Sequence, residues 1–339
     1  MSLEARALSR VASTEVHLRY GLQEAIVSPF GASLRGYYLH THPDLTPIVT
    51  RYASAIDPPS TVVGQAVERS PMEIGDKIGG QGDVLVPFPG RVRGGRYTFE
   101  GHTYQMELND KEGPNAIHGF LRNVPWRIEA IGENNVAFSA RFEEKEHSAG
   151  GYPFAIQSCV WYRVEAAGLV CSFSITNAGS RPAPAAAGFH PYFTAGSPLI
   201  DDDDLQVGFD SVLEYDENLI PTGKVLPVDH SPLDFRRPRV IGETPLNTCF
   251  LNPRRDDDGK ARIHLKGGVT GRTVTVWMDD AFDYVVLYSG DPLSEEFRRK
   301  SLAIEPMTCG SDAFNHPEWG LKTLAPGEMF AGEWGVDLT

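Results

Sequence analysis

Short apolar stretches that alternate with polar residues, and that end at glycine or proline, run through most of this sequence. The chain has 339 residues, of which 34 are Gly and 25 are Pro, and long apolar patterns with a helical period are scarce. In residues 169–176, Cys171, Phe173 and Ile175 fall on one face of a strand and hydroxyl-bearing residues fall on the other. Many short strands separated by turns predict a mostly β protein, a large antiparallel β-sandwich with few short helices.

The spacing of turn residues predicts two local arrangements. Residues 97–104 are expected to form a hairpin that turns at Glu100 and Gly101, because Gly takes a positive φ at little cost. Residues 272–278 and 282–288 both alternate and are separated by only a few residues. We therefore expect them to be neighbouring antiparallel strands.

Two charged segments interrupt the strand pattern. Residues 294–300, Ser-Glu-Glu-Phe-Arg-Arg-Lys, are predicted to form a turn or two of helix. The acidic run from Asp201 to Asp204 is interpreted as a solvated turn rather than a calcium site. Neither segment is a linker long enough to divide the chain, so we expect a single domain over residues 1–339.

The charge and apolar content of the chain exclude several classes of partner. The formal net charge is −14, which opposes unassisted nucleic-acid binding because phosphate neutralisation needs a basic face. No stretch approaches the roughly 20 apolar residues of a membrane span, and the first residues lack the apolar core of a signal peptide. The four Cys are scattered without the spacing of metal ligands. We therefore expect a cytoplasmic protein without a metal or a cofactor.

Two histidines and one glutamate each stand in a short and unusual context. His118 lies in the segment NAIHG, His190 in GFHPYF and Glu305 in LAIEPM. In each, an apolar, strand-like run delivers one polar side chain beside Gly or Pro. Two imidazoles and a carboxylate directed at one cleft form a general acid–base set that works near neutral pH. Taken singly, each residue is more simply explained as a capped or surface residue, so the prediction depends on their combination.

Six segments resemble the aldose 1-epimerase family, the galactose mutarotase-like enzymes, and occur in the family's order. They are PGRVRGGRY at residues 89–97, NAIHG at 115–119, HPYF at 190–193, LIPTG at 219–223, DFR at 234–236 and IEP at 304–306. The resemblance begins near FGAS at residues 30–33 and covers nearly the whole chain. It implies the galactose mutarotase-like supersandwich fold, a small monosaccharide substrate and no cofactor or metal.

The resemblance also implies a role for each catalytic residue. Glu305 would remove the proton from the anomeric hydroxyl, and His190 would protonate the ring oxygen. The ring would then open to the aldehyde, rotate about the bond between C1 and C2, and close on the other face to give the other anomer. His118 would hydrogen-bond near the ring oxygen, and Arg91 would hold sugar hydroxyls.

Asn247, Asn115 and Trp126 complete the predicted substrate-binding set. Two interpretations of Trp126 stay open, a core anchor or a stacking platform for the apolar face of a sugar. Asn247 stands where the galactose type often has an acidic residue; it donates as well as accepts and carries no charge, so we expect an altered hydroxyl preference. Phe120 stands where the common form has a second Gly, and its ring is expected to narrow the cleft or cover the sugar.

Three other functions compete with epimerisation of a free aldose. Arg91, Arg93 and Arg96 suggest a hexose-6-phosphate 1-epimerase, because arginine clusters suit phosphate. A non-catalytic sugar-binding module would use the same fold, although binding alone needs no base opposite an acid. A glycoside hydrolase needs two carboxylates that flank the scissile bond, and only Glu305 is well placed. The physiological sugar, the pathway and the choice between monomer and homodimer stay open.

Overall fold

The computed structural model describes residues 14–41, 44–49, 66–68, 80–144 and 151–338. In chain order the strands are Thr14–Tyr20 (β1), Gln23–Ser28 (β2), Ser33–Thr41 (β3), Asp44–Val49 (β4), Ala66–Glu68 (β5), Val84–Leu85 (β6), Arg91–Val92 (β7), Arg96–Phe99 (β8), His102–Gln105 (β9), Ala116–Ile117 (β10), Arg127–Ile131 (β11), Asn135–Phe142 (β12), Ile156–Val164 (β13), Gly168–Asn177 (β14), Ala183–Ala185 (β15), Gly188–Phe189 (β16), Tyr192–Phe193 (β17), Asp204–Val207 (β18), Phe209–Tyr215 (β19), Pro221–Pro227 (β20), Arg239–Val240 (β21), Asn247–Pro253 (β22), Ala261–Lys266 (β23), Thr273–Met278 (β24), Tyr284–Tyr288 (β25), Leu302–Met307 (β26), Lys322–Leu324 (β27) and Met329–Leu338 (β28). Single 3-10 turns occur at Arg93–Gly95, Leu121–Asn123, Ile200–Asp202 and Pro317–Trp319. Within the described ranges, none of the helices is both long enough and apolar enough to cross a membrane.

Two large antiparallel sheets contain most of these strands. One has thirteen strands, in the order β20-β19-β22-β25-β26-β17-β4-β3-β2-β1-β5, with β16 paired to β26 and β6 paired to β16. The other has nine strands, in the order β11-β12-β13-β14-β28-β24-β23-β18-β21. The main core cluster takes side chains from both sheets, from Val16 to Val336, so the sheets bury each other's apolar faces. The predicted large antiparallel β-sandwich is confirmed.

Two local predictions are confirmed as well. In β14, the apolar side chains expected on one face are buried, and the hydroxyl-bearing residues between them are partly exposed. β8 and β9 form the predicted hairpin, with Phe99 opposite His102. Its two turn residues, Glu100 and Gly101, have φ values of 46° and 78°, which match the twist of the flanking strands.

The prediction that residues 272–278 and 282–288 pair with each other is wrong. β24 pairs with β23 and β28 in the nine-stranded sheet, whereas β25 pairs with β22 and β26 in the thirteen-stranded sheet. The connection over residues 279–283 crosses between the sheets, and Asp279 fixes it by accepting backbone hydrogen bonds from Ala281 and Glu333. Closeness in sequence misled the prediction, because successive strands of a sandwich also lie in facing sheets.

The two charged segments also differ from expectation. Residues 294–300 form turns and bends rather than helix. In the acidic run, Asp203 is buried and accepts a hydrogen bond from Gly268 N, and Asp201 pairs with Arg299 at 2.6 Å. The run therefore ties neighbouring loops together and is only partly a solvated turn.

Candidate active site

Glu305 and His190 come from adjoining strands of the thirteen-stranded sheet. Glu305 lies in β26, and His190 lies between β16 and β17, which both pair with β26. Pro191 interrupts the strand between β16 and β17, because proline has no backbone N–H to donate to a neighbouring strand. The registers of the two short strands against β26 set His190 opposite Glu305.

The imidazole and the carboxyl are in contact. His190 Nε2 lies 3.3 Å from Glu305 Oε1, and the two residues are only 5% and 2% exposed. Within the described part of the chain, Glu305 Oε2 has no hydrogen-bond partner, and His190 Nδ1 has none outside its own residue. Buried polar atoms without a partner are costly. One oxygen of Glu305 is therefore available to a ligand.

His118 reaches the same place from the separate two-stranded sheet of β7 and β10. It directly follows β10, with φ 64°, a conformation that is uncommon for a residue with a side chain. Gly90 N donates to His118 Nδ1 at 3.2 Å, so the other ring nitrogen carries the proton when the imidazole is neutral. The rings of His118 and His190 are nearly perpendicular, with centroids 5.4 Å apart. Polar atoms of the two histidines and Glu305 all lie within 4.8 Å of one another.

The three residues line one cavity of about 310 Å³. Its wall carries three acidic and three basic side chains, namely Asp110, Glu112, Glu305, Arg91, Lys111 and Arg122. Other lining residues are polar or apolar without charge, among them Asn247, Tyr215, Tyr288, Val286, Leu293 and Met307. A small cavity with balanced charge, hydroxyl groups and apolar walls suits a small neutral polar ligand.

Two carboxylates hold Arg91 at the cavity. Arg91 Nε donates to Asp110, and Arg91 Nη2 donates to Glu112, each at 2.7 Å. The backbone of Arg91 is fixed by the loop that follows β26: Arg91 N donates to Ser311 Oγ, and Asp312 N donates to Arg91 O. The same stretch of chain that supplies Glu305 therefore positions the arginine.

Burial shifts the pKa values of the triad in opposite directions. It raises the pKa of the Glu305 carboxyl well above its ordinary value, and the charge of Arg91 opposes this only in part. It lowers the pKa of His190 to about 3 and that of His118 well below its ordinary value, and the charge of Arg122 lowers both further. Burial therefore favours a neutral carboxyl and a neutral imidazole over an ion pair. Both forms contain the same number of protons, so one transfer between Oε1 and Nε2 interconverts them.

Of the four predicted substrate-binding residues, two line the cavity. These are Arg91 and Asn247, whereas Trp126 and Asn115 are absent from its lining. Trp126 is a core residue with 1% exposure, and its Nε1 donates to Leu121 O. The stacking-platform interpretation of Trp126 is therefore wrong, because its ring is enclosed by the core.

Asn115 supports the site from behind rather than facing it. It is 1% exposed, and its Nδ2 donates to Asp110 Oδ2. Its Oδ1 accepts a hydrogen bond from Gly94 N. Its side chain thus orients the carboxylate that holds Arg91.

Phe120 also lies away from the cavity, contrary to expectation. Its ring packs edge-on against Phe88 and Phe142, with centroids 5.9 and 6.5 Å apart. Gly119 has φ 64°, and a Cβ there would lie 2.3 Å from Val86 O. The tight turn that requires this glycine directs Phe120 against the core.

The sequence argument missed most of the other cavity residues, among them Tyr215, Tyr288 and Arg122. Alternation identifies residues 282–288 as a strand but does not show which face meets a cavity. Arg122 pairs with Asp83 at 3.4 Å, and its closeness to His118 in the sequence is the signal that could have drawn attention to it.

Comparisons with known proteins agree with this fold. The family model for aldose 1-epimerase matches residues 73–335, a range that contains the whole triad and begins after residues 30–33. The curated protein YihR of Escherichia coli K12, described as uncharacterised, is 30% identical over 235 residues, 69% of this chain and 71% of that protein. Galactose mutarotase of Sus scrofa is 28% identical over 272 residues, 74% of this chain and 76% of the relative.

Solved structures show the same architecture. The GalM/aldose epimerase homologue from C. elegans superposes with a TM-score of 0.81 at 20% identity, covering 96% of this chain and 98% of that one. A putative aldose 1-epimerase from E. coli K12 superposes with a TM-score of 0.75 at 20% identity, covering 96% and 99%. At this identity the likeness establishes the galactose mutarotase-like fold, and the family match extends over most of the chain. The chain belongs to the aldose 1-epimerase family.

Proposed function

We propose that the protein is an aldose 1-epimerase that interconverts the α and β anomers of a free aldose. The observation that carries the proposal is the contact of 3.3 Å between His190 Nε2 and Glu305 Oε1 in the wall of a small cavity. Anomerisation requires one proton to be removed and one to be delivered on opposite sides of a C–O bond. A carboxyl and an imidazole at this separation are suited to both transfers.

Ring opening starts from the ion-pair form of His190 and Glu305. The Glu305 carboxylate takes the proton of the C1 hydroxyl, and the electrons of that O–H bond form the C1 carbonyl. The bond between C1 and the ring oxygen breaks, and the ring oxygen takes the proton of the His190 imidazolium. An open-chain aldose, a neutral carboxyl and a neutral imidazole result.

Ring closure uses the neutral pair. After rotation about C1–C2, the oxygen of the C5 hydroxyl attacks C1 while His190 takes the proton of that hydroxyl. Glu305 protonates the former carbonyl oxygen. The ion pair is regenerated, and no proton has to be exchanged with solvent. Burial, which favours the neutral pair, therefore stabilises the form that closes the ring.

His118, Arg91 and Asn247 act on the sugar in this proposal. The protonated ring nitrogen of His118 donates near the ring oxygen, where charge changes during the reaction. Arg91 and Asn247 hold hydroxyl groups from the cavity wall. We treat residues 1–339 as one domain that acts in the cytoplasm on a small monosaccharide.

Epimerisation of a phosphorylated hexose is supported less well. Of the three arginines that suggested it, Arg93 and Arg96 are absent from the cavity lining. The Arg93 side chain is 53% exposed and pairs with Asp216, and Arg91 is already paired with two carboxylates. A non-catalytic sugar-binding module is supported less well too, since binding alone needs no general base in contact with a general acid.

Polarimetry on freshly dissolved α-glucose and α-galactose tests the proposal. The protein should accelerate the decay of optical rotation, and Glu305→Gln should abolish the acceleration while the sugar still binds. Glu217→Gln, an exposed glutamate outside the cavity, is the matched control and should keep full activity. Near wild-type turnover in Glu305→Gln would remove this residue from the base role; acceleration with glucose 6-phosphate alone would favour the phosphorylated substrate.

A further inference from the structure

Asn247 and Tyr288 form a polar pair in the cavity wall, and neither takes part in the proposed proton transfers. They lie directly opposite each other on β22 and β25, and both line the cavity. Neither side chain hydrogen-bonds to any other residue that the structure describes, although the phenol and the amide together offer donors and acceptors. Polar groups in a partly buried wall are normally satisfied, so this pair is suited to hydroxyl groups of a ligand.

The sheet register fixes where this pair lies relative to Glu305. On β25, Val286 is opposite Glu305 and Tyr288 is opposite Ala303. Tyr288 and Asn247 are therefore two residues along the strands from the row of Glu305, a distance of about 6.6 Å. This separation is comparable with the span between hydroxyl groups at opposite ends of a pyranose ring.

The order of the strands also places the pair away from His190. β25 and β22 lie on one side of β26, whereas β16 and β17, which flank His190, lie on the other. In a pyranose with its C1 hydroxyl at Glu305 and its ring oxygen at His190, C4 is the ring atom opposite C1, and C3 is the one opposite the ring oxygen. The C3–C4 edge is then directed toward Asn247 and Tyr288.

We propose that Tyr288 is a specificity-determining residue that, with Asn247, binds the hydroxyl groups on C3 and C4 of the aldose. The inference rests on the proposed epimerase activity and narrows its substrate to aldopyranoses with unsubstituted hydroxyls on that edge. Burial, followed by the carboxylates of Glu112 and Asp291, raises the pKa of Tyr288 to about 12, so the phenol keeps the proton that it donates.

The competing explanation is that Tyr288 only packs. Its ring makes an edge contact with Tyr192, at a centroid distance of 6.4 Å. Tyr288→Phe keeps that ring and removes only the hydroxyl, so it separates packing from hydrogen bonding. Tyr284→Phe is the matched control, because Tyr284 is buried in the same strand and lies outside the cavity lining.

The test compares kcat and KM for glucose with those for galactose, allose and mannose, its epimers at C4, C3 and C2. Loss of one hydrogen bond to a hydroxyl should raise KM about 5- to 10-fold in Tyr288→Phe and change kcat less than about twofold. The galactose-to-glucose or allose-to-glucose ratio of kcat/KM should shift by about threefold or more. The mannose-to-glucose ratio should stay within about twofold, and Tyr284→Phe should resemble the wild type.

Three results would overturn the inference: wild-type ratios in Tyr288→Phe, a shift confined to the C2 epimer, or an equal effect in Tyr284→Phe. Failure of the proposed function would look different, since the wild type would then accelerate the mutarotation of none of these sugars. In that case, calorimetric Kd values for glucose and galactose decide the role of Tyr288. If the galactose-to-glucose ratio of Kd is unchanged in Tyr288→Phe, the proposed role of Tyr288 is overturned.

Discussion

Glu305 Oε1 lies 3.3 Å from His190 Nε2, and both residues are buried. The carboxyl and the imidazole therefore respond to pH as one group with one shared proton. The proposed epimerisation requires the pair to hold one shared proton. It is lost in acid when the imidazole gains a further proton, and in base when the carboxyl loses its own.

The pKa shifts of this pair therefore predict a broad plateau of activity. The acid limb should follow the lowered pKa of His190, about 3, and the alkaline limb should follow the raised pKa of Glu305. We expect kcat/KM, corrected for spontaneous mutarotation, to be flat across neutral pH and to show no limb near the ordinary His value of about 6.5. A limb near that value would indicate that His190 titrates as an exposed imidazole.

Glu305→Gln should stabilise the protein while it abolishes activity. The folded pKa of Glu305 is raised, so its favourable contribution to folding is complete below the unfolded pKa and is lost as pH rises through the folded pKa. The neutral amide avoids this loss and should raise the free energy of unfolding by about 1 kcal/mol at a pH above the folded pKa. Urea unfolding should show the gain shrinking toward acid, and Glu217→Gln should show no such trend. A gain that grows toward acid would contradict the raised pKa.

The two partners of Arg91 should differ in their effect on substrate binding. The side chain of Asp110 is 3% exposed, whereas that of Glu112 is 43% exposed. Removing a buried ion-pair partner costs more free energy than removing a solvated one. We expect Asp110→Asn to raise KM by about tenfold or more, and Glu112→Gln by about threefold at most. Steady-state kinetics on one sugar suffice as the measurement. Equal effects would show that Asp110 does not position the guanidinium.

The sequence context of each residue of the triad was predictable, but the convergence of the three residues on one cavity was not. A few neighbouring residues were enough to single out His118, His190 and Glu305, and to predict the turn at Glu100. The contact between His190 and Glu305 depends on how β16 and β17 pair with β26, and no local pattern encodes a register between segments so far apart.

The wrong predictions about the site share one physical cause. Phe120 stands beside a motif residue, but the tight turn at Gly119 directs its ring against the core. Trp126 lies within the core. Tyr288 was recognised as part of a strand and not as a cavity residue, because alternation gives two faces without naming the one that meets a ligand. Side-chain direction after a turn is set by tertiary packing, which the sequence pattern does not contain.

Zn²⁺ should inhibit the proposed epimerase activity by binding to His118, His190 and Glu305. Polar atoms of His118, His190 and Glu305 lie within 4.8 Å of one another, and imidazole and carboxylate are ligands that Zn²⁺ prefers. We expect added Zn²⁺ to inhibit competitively with the sugar and EDTA to reverse the inhibition, with EDTA alone leaving activity unchanged. Loss of activity in EDTA that is restored by Zn²⁺ would instead indicate a metal-assisted reaction.

Asn247→Asp should change sugar preference more than maximal rate. Asn247 lies in the cavity wall two residues along the strands from the row of Glu305, so in the proposed binding mode it contacts the sugar away from the reacting C1. A carboxylate in place of the amide accepts hydrogen bonds but does not donate them, so hydroxyls that used the amide as a donor lose their partner. We expect the galactose-to-glucose ratio of kcat/KM to shift by about fivefold or more with kcat within about threefold. Asn252→Asp, an exposed position on the same strand outside the cavity lining, is the control. An unchanged ratio in Asn247→Asp, or an equal shift in the control, would show that Asn247 does not contact the sugar.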